Sequence, residues 1–138
     1  MKTLVYLVMA FVTTLGMAQE TEGVTITIEL ENVQSTEGQI SAALYDENTF
    51  MKAAPLQTAG TQPDTTKTVL TFKNVAPGTY AIVTLHDFNS NGRMDFEANG
   101  MPKEPYGTSN NEMSMGPPVF ADAAFEVANE DLTLQIRH

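Results

Sequence analysis

Residues 24–30, VTITIEL, alternate apolar and polar side chains with a period of two. Successive side chains of a β-strand point to opposite faces, so this pattern predicts a half-buried strand that turns its valine, isoleucines and leucine toward a core. The segment is also rich in β-branched residues, which favour strands. The same period recurs along the chain and decides the predicted fold class.

Five further segments are predicted to be strands, namely residues 39–45, 67–73, 79–86, 124–127 and 132–136. Segment 79–86, TYAIVTLH, is the most apolar, and we expect it at a sheet centre with both faces buried. The last two segments are predicted to form a hairpin around residues 129–131, and residues 48–64 a loop with one helical turn near 50–54. The pattern predicts an all-β protein, a single antiparallel β-sandwich of about seven strands.

The first 18 residues have the layout of a secretory signal peptide: a short basic start, an apolar run of about a dozen residues, and small residues three and one before a cut after Ala18. The run is shorter than the roughly 20 residues that a membrane-spanning helix needs, which makes an N-terminal membrane anchor the weaker alternative. We therefore expect a protein that is secreted to the periplasm or the exterior and is not inserted in the membrane after cleavage. Residues 19–138 would form its one domain.

The composition excludes several classes of function. The chain contains no cysteine, which excludes disulfides, cysteine nucleophiles and cysteine-ligated zinc. Its net charge is −10, with only seven lysines and arginines, so a surface that follows nucleic-acid phosphates is not expected. An acidic surface suits cations, although the same charge also serves to keep a secreted protein soluble.

A long loop, about residues 87–118, interrupts the regular spacing of the strands. Its second half is rich in proline and glycine and has no periodicity. Loops of this length inside a compact domain are either functional or disordered. The tyrosine and methionines among its polar residues indicate an ordered loop that packs against the domain.

The first part of this loop, HDFNSNGRMDFE at residues 86–97, has the ligand spacing of a calcium loop. Calcium takes six to eight oxygen ligands, and a tight loop supplies them from alternate positions around a glycine at the sixth. Gly92 occupies that position. The predicted ligands are the side chains of Asp87, Asn89, Asn91 and Asp95 and the main-chain carbonyl of Arg93.

The loop departs from an EF-hand at position twelve, where Ala98 replaces the bidentate glutamate, and it follows a strand instead of a helix. A missing carboxylate would come from Glu97, Glu104 or Asp122, and weak affinity is expected. Asn91 and Gly92 are also a strong signal for a hairpin turn, so a metal-free turn is the main alternative. Magnesium suits the loop less well because it demands a stricter octahedron.

His86 is the only histidine in the interior of the sequence. With Asp87 it could act as the base of a metal-assisted hydrolase. The chain lacks a Gly-x-Ser-x-Gly motif and the several histidines of a hydrolytic zinc site. A structural histidine that ends the strand is therefore favoured. Met113 and Met115 raise a further alternative, a thioether site for Cu(I), against their more common use as gap-filling core residues.

Three ordered motifs together resemble a family of secreted bacterial proteins known as domain of unknown function 2141. They are His86-Asp87-x-Asn89-x-Asn91-Gly92-x-x-Asp95, Gly100-x-Pro102-x-Glu104-x-x-Gly107-x-Ser109-Asn110, and Gly116-Pro117-Pro118-x-Phe120-x-Asp122-Ala123. That family has no assigned activity. The turn and strand at residues 77–81, PGTYA, are also similar to transthyretin-like and carboxypeptidase-regulatory-like domains. This weaker resemblance implies a prealbumin-like or Ig-like sandwich.

The leading prediction is a non-enzymatic secreted protein whose long loop folds over Ca²⁺ and presents a surface to a glycan or a cell-envelope protein. The residues expected to order the loop or to bind the partner are His86, Tyr106, Ser109, Asn110 and Phe120. The alternatives are the hydrolase that uses His86 and a purely structural envelope protein with a metal-free loop.

Overall fold

The computed structural model describes residues 23–112 and 116–138. The elements, in chain order, are β1 (Val24–Glu31), β2 (Gln39–Tyr45), β3 (Gln57–Thr61), β4 (Thr68–Val75), β5 (Gly78–Asp87), β6 (Tyr106–Thr108), a 3-10 turn (Ser109–Asn111), α1 (Phe120–Ala123), β7 (Phe125–Val127) and β8 (Leu132–Arg137). The predicted signal peptide lies outside the described residues, and so does the methionine pair proposed for copper.

The eight strands form two sheets, which confirms the predicted β-sandwich. One sheet has the order β4-β1-β8, and the other has the order β3-β2-β5-β6 with β7 also paired to β5. All the strand pairs are antiparallel except β1 with β8, which run parallel. No helix in the described part of the chain is long and apolar enough to span a membrane. The likeness to transthyretin-like domains stays a prediction.

The core lies between the two sheets, where the alternating patterns meet. Along β1 every second residue is buried, as the sequence predicted, and Ile26 and Ile28 are fully inaccessible to solvent. The parallel register places Ile28 beside Leu134 of β8, so both strands turn their apolar side chains to the same face. Phe72 of β4 fills the centre and is 1% exposed.

Strand β5 lies inside its sheet as predicted, with β2 on one side and β6 and β7 on the other, but the prediction that both its faces are buried holds only around residues 81–82, since Val83 and Leu85 on the outer face are partly exposed. Ile82 on its inner face belongs to the main core. Ala81 on its outer face packs with Phe50 and Ala123 in a second, smaller apolar cluster. Phe50 is brought there by a helical turn whose first bond joins its amide to the Asp46 carbonyl at 2.9 Å.

Three sequence predictions about the strands are wrong, and one of them is the long loop 87–118, which contains the short strand β6 paired with β5. The segments 124–127 and 132–136 do not form a hairpin, because β7 pairs with β5 while β8 pairs with β1 in the other sheet. The predicted loop 48–64 contains β3, whose sequence QTAGT has weak strand propensity. It is held as a strand by five register pairs with β2, such as Ala42 with Ala59, and tertiary pairing thus overrides local preference.

Candidate functional site

The segment between β5 and β6, which we call the acidic loop (residues 87–104), leaves and re-enters the sheet at one point. The His86 amide donates to the Pro105 carbonyl at 2.9 Å and so joins its two ends. Gly38, at φ +71, allows the start of β2 to lie against the loop's origin, since a Cβ there would collide with the Asp87 carbonyl. The base of the loop is therefore fixed by the sheet.

Asp87 organises the first turn of the acidic loop from its base. It is 4% exposed, and its two carboxylate oxygens accept hydrogen bonds from the main-chain amides of Asn91 at 3.2 Å and Gly92 at 2.6 Å. Gly92 has φ +79, which a residue with a side chain adopts at a cost. The position-one aspartate and the position-six glycine therefore build the turn together.

Asp95 gathers the two asparagines that alternate along the turn. Its carboxylate accepts from the Asn89 amide at 2.6 Å and from the Asn91 amide at 2.9 and 3.0 Å. The hydrogen bonds from Asn89 and then Asn91 lower the pKa of Asp95 below its ordinary value. The residues predicted to be metal ligands are thus brought together, and in the described conformation they bind one another.

Glu104 closes the acidic loop from its far end. The residue is 5% exposed, and its carboxylate accepts from the main-chain amides of Phe88 at 2.7 Å and Asp95 at 3.0 Å. Burial raises the pKa of Glu104, and the charge of Asp87 adds to that rise, while the two amide bonds oppose it. Of the three carboxylates suggested to complete the loop, Glu104 is the one that contacts it in this way.

The side chains of the other two suggested carboxylates are not bonded to the turn at residues 87–95. Glu97 sits in a tight turn, where its amide donates to the Met101 carbonyl at 2.7 Å and its carbonyl accepts from Gly100 at 2.9 Å. Its side chain makes no hydrogen bond within the described residues. Asp122 lies in α1, at an exposed position beside a cavity of about 290 Å³ that Tyr106 and His138 also line.

The acidic loop offers suitable donors for a hard cation but is not arranged as a finished coordination shell. Carboxylate and amide oxygens are the ligands that calcium accepts. Within residues 23–112 and 116–138, no three acidic or histidine side chains converge closely enough to hold a metal ion. The amide oxygens of Asn89 and Asn91 instead accept from the main chain at 3.3 and 3.1 Å. An ion would need both amides to rotate, which breaks the hydrogen bonds that their nitrogens donate to Asp95.

His86 is a packed residue in this arrangement. It is 1% exposed, and its Nε2 donates to the Glu37 carbonyl at 2.7 Å. Phe88 packs against the imidazole with the ring centroids 4.4 Å apart. The ring ties the base of the acidic loop to the segment before β2.

Ser109 and Asn110 join β6 to α1 and β7 along one edge of β5. Strand β7 pairs with residues 78–80 of β5 and β6 with residues 83–85. The Ser109 hydroxyl lies between them, where it accepts from the Ile82 amide at 3.0 Å and donates to the Ala123 carbonyl. Asn110 donates to the carbonyls of Asp122 at 3.1 Å and Ala124 at 2.8 Å. Both residues order the chain after the acidic loop.

Phe120 and Tyr106 have different surroundings. Phe120 packs edge-on against Phe50, with ring centroids 5.8 Å apart, and so joins α1 to the second apolar cluster. Tyr106 is 36% exposed and lines the cavity of about 290 Å³ beside Asp122. That cavity is bordered by Glu112 and Gly116.

Sequence reasoning missed two residues that complete the edge of the sandwich. The Asn111 side chain donates to the Gln135 carbonyl at 2.9 Å and accepts from the Arg137 amide at 2.8 Å, as a neighbouring strand would. The His138 ring reaches Thr84 at 2.8 Å across the sheets. An isolated asparagine in a loop and a histidine at position 138 carry no periodic signal, so neither role could be inferred from the pattern.

The chain belongs to a bacterial protein family described as uncharacterized and conserved in bacteria (DUF2141), whose model matches residues 28–135. The matched range runs from β1 to β8 and includes the whole acidic loop. No curated protein and no solved structure matches the chain. The resemblance drawn from the three motifs is confirmed at the level of the family.

Proposed function

We propose that this member of the DUF2141 family is an exported, non-enzymatic binding module whose acidic loop is stabilised by calcium. The observation that carries the proposal is that three carboxylates, those of Asp87, Asp95 and Glu104, all accept hydrogen bonds from the same short segment, residues 88–95, in a chain with net charge −10. Like charges held together raise the free energy of the folded loop, and a divalent cation offsets that repulsion.

In the calcium-bound loop, the side chains of Asp87, Asn89, Asn91 and Asp95 and the carbonyl of Arg93 supply oxygens, and Glu104 adds the carboxylate that position twelve lacks. Rotation of the two asparagine amides turns their oxygens toward the ion. With three carboxylates and two neutral amides, we expect an affinity in the range of extracellular calcium modules, Kd about 10⁻⁴–10⁻³ M. The ordered loop then presents a surface to a glycan or a cell-envelope partner.

The packing of His86 supports the non-enzymatic part of the proposal. A general base must reach the proton that it abstracts, whereas this ring is buried and its Nε2 is already bonded to the Glu37 carbonyl. The hydrolase alternative would need that bond to break and the ring to move to the surface.

A metal-free structural protein is the second candidate, and one observation favours it. Both oxygens of Asp87 and both oxygens of Glu104 already accept main-chain amides of the acidic loop. A loop whose turns are satisfied in this way keeps its shape without an ion.

Calorimetric melting of the protein in millimolar CaCl₂ and in EGTA distinguishes the two candidates. Binding at these affinities stabilises the folded state by about 1 kcal/mol, which raises the melting temperature by roughly 4 °C for a domain of about 120 residues. Asp95→Asn should reduce the rise, and Asp122→Asn, an exposed acid outside the acidic loop, should leave it unchanged. Equal midpoints in calcium and EGTA would overturn the calcium proposal and favour the metal-free loop.

A further inference from the structure

The outer face of the five-stranded sheet carries a groove that none of the sequence motifs indicated. Its volume is about 480 Å³, within the range of roughly 300–1,000 Å³ that small-molecule sites occupy. Small side chains at alternate positions of β2, Ser41 and Ala43, make the floor low, with Val83 and Leu85 of β5 beside them.

Two walls of different origin enclose this groove. Tyr45 and Pro55 stand at one side, and the Tyr45 ring is held edge-on by Phe50 at a centroid distance of 5.7 Å. Arg93 and Met94 of the acidic loop stand at the other side. The acidic loop thus folds back over the sheet and completes the groove, so the two features are physically coupled.

The backbone of the groove floor has no free edge. Strand β2 lies between β3 and β5, and β5 is paired on its other side with β6 and β7. Because these ladders use the strand N–H and C=O groups, an extended peptide cannot add to the floor as a strand. A ligand in this groove must therefore be recognised by the side chains that line it.

Those side chains alternate apolar and polar groups. The side chains of Ser41, Tyr45 and Thr58 make no hydrogen bond to any described residue and line the groove among alanine, valine and leucine. A hydrocarbon chain would leave these hydroxyls without partners when it displaced water, which costs free energy. A ligand with both C–H faces and hydroxyl groups would satisfy the whole lining.

The charges of the groove favour a neutral ligand. Arg93 is the one cation among the lining residues and is exposed, while the net charge of the chain is −10. Asp87 lies at the same end, and its carboxylate oxygens are occupied by the amides of Asn91 and Gly92. The groove therefore has neither the positive field for an anion nor a free carboxylate for an organic cation.

We propose that this groove binds a neutral saccharide of one or two rings, with a sugar face stacked on Tyr45 and hydroxyls bonded to Ser41, Thr58 and Arg93. A half-buried tyrosine provides a rigid apolar face with a polar end, which suits such a ligand. This inference rests on the proposed role as a binding module and names its site and ligand class.

The test is a titration of ¹⁵N-labelled protein with maltose, cellobiose, lactose and N,N′-diacetylchitobiose, followed by amide chemical shifts. At least one disaccharide should shift the amides of Ser41, Ala43 and Val83 at millimolar concentration. Tyr45→Ala should weaken that binding about tenfold, as expected for loss of an aromatic contact. Tyr106→Ala, at the exposed tyrosine of the other cavity, should leave it unchanged.

A second pair of variants tests the groove independently, in case Tyr45→Ala disturbs the fold. Ser41→Leu fills the floor of the groove and should abolish binding, whereas Thr71→Leu makes the same kind of enlargement on the outer face of β4, at an exposed position. Shifts confined to other surfaces, or no shift with any of the four disaccharides, would overturn the inference. If sodium octanoate shifts the amides of the groove floor and no disaccharide does, the saccharide inference would be overturned in favour of an acyl ligand.

The titration is run in calcium and in EGTA so that the two proposals fail separately. Chemical-shift changes in the groove under both conditions, without a calcium effect on melting, would support the saccharide site and overturn the calcium proposal. A calcium effect on melting without chemical-shift changes in the groove would support the calcium proposal and overturn the saccharide site.

Discussion

The sandwich core and the acidic loop are held together by different chemistry. In the core, side chains such as Ile26, Ile28 and Phe72 exclude water and contact one another without polar groups. In the acidic loop, Asp87 and Glu104 carry the structure because each carboxylate accepts two main-chain amides. One region is stabilised by apolar burial and the other by charged hydrogen bonds.

This difference predicts different responses to the environment. Apolar burial involves no ionisable group and scales with the apolar area removed from water, so it does not depend directly on pH. Hydrogen bonds to carboxylates are stronger than neutral ones but depend on ionisation and on nearby charge. Substitutions in the core should therefore change global stability, while substitutions in the acidic loop should change local order and its response to calcium and pH.

The largest effect is expected from Phe72→Ala in the core. The side chain is 1% exposed, and its removal leaves a cavity that should lower the free energy of unfolding by about 3–5 kcal/mol. Urea denaturation measures the loss. Thr71→Ala, at the neighbouring exposed position, should change stability by no more than about 0.5 kcal/mol. A loss below about 1 kcal/mol for Phe72→Ala would contradict the central position of that ring.

A smaller and more local effect is expected from Glu104→Ala. The amides of Phe88 and Asp95 lose their acceptor, which should cost about 2 kcal/mol. Hydrogen exchange of those two amides should accelerate, while the amides of β1 keep their protection. Glu97→Ala is the control, since that side chain makes no hydrogen bond within the described residues. Glu104→Gln should lie between the two, because one amide oxygen remains and no charge is buried. Unchanged hydrogen exchange at the Phe88 amide would contradict the role of Glu104 in holding the two ends of the acidic loop together.

A pH effect is expected from His138, which bridges the sheets near the loop's base. Burial, helped by the charge of His86, lowers the pKa of His138 from 6.5 to about 4. As the pH falls from 6.5 to about 4, the unfolded chain binds a proton that the folded protein does not. Stability from this group is therefore unchanged above pH 6.5 and falls through that window. Since the ring is partly exposed, solvent screening keeps the effect moderate.

His138→Gln isolates this contribution, because the amide can still bond the Thr84 hydroxyl but does not titrate. Asp95 and Glu104 titrate in both proteins, so the difference between the two melting curves reports His138 alone. Parallel pH profiles between pH 6.5 and 4 would show that the ring is not shielded from protons.

The smallest effect is expected at the surface of the three-stranded sheet. Lys67 lies 3.6 Å from Glu29, and both side chains are substantially exposed. Lys67→Met should change the free energy of unfolding by less than about 1 kcal/mol, and added salt should reduce even that. A larger loss in urea denaturation would mean that charge pairs, and not only apolar burial, hold this sheet.

The strand pattern could be predicted where one side of a strand faces the core. Segment 24–30 shows its period directly, and its buried positions are those observed in β1. Strand β3 shows no such pattern, because its middle residues are alanine and glycine and its pairing with β2 holds it. The pairing of β8 with β1 is equally invisible locally, since it joins segments about one hundred residues apart.

The acidic loop was predictable in its spacing and not in its bonding. Alternation of Asp87, Asn89 and Asn91 before Gly92 indicated a tight turn of oxygen-bearing side chains, and Asp87 and Asn91 form hydrogen bonds within that turn. The sequence offered Glu97, Glu104 and Asp122 equally as the further carboxylate. Glu104 contacts the loop because the joined ends at His86 and Pro105 bring residue 104 back beside Phe88.

The order of side chains alone determined the β-sandwich class, the buried face of each periodic strand and the turn at Gly92, because these depend on neighbours a few residues away. The tertiary structure decided which strands pair, which carboxylate closes the acidic loop and where a groove opens beneath Arg93. Those features depend on which distant segments meet when the core forms, and local spacing carries no record of that.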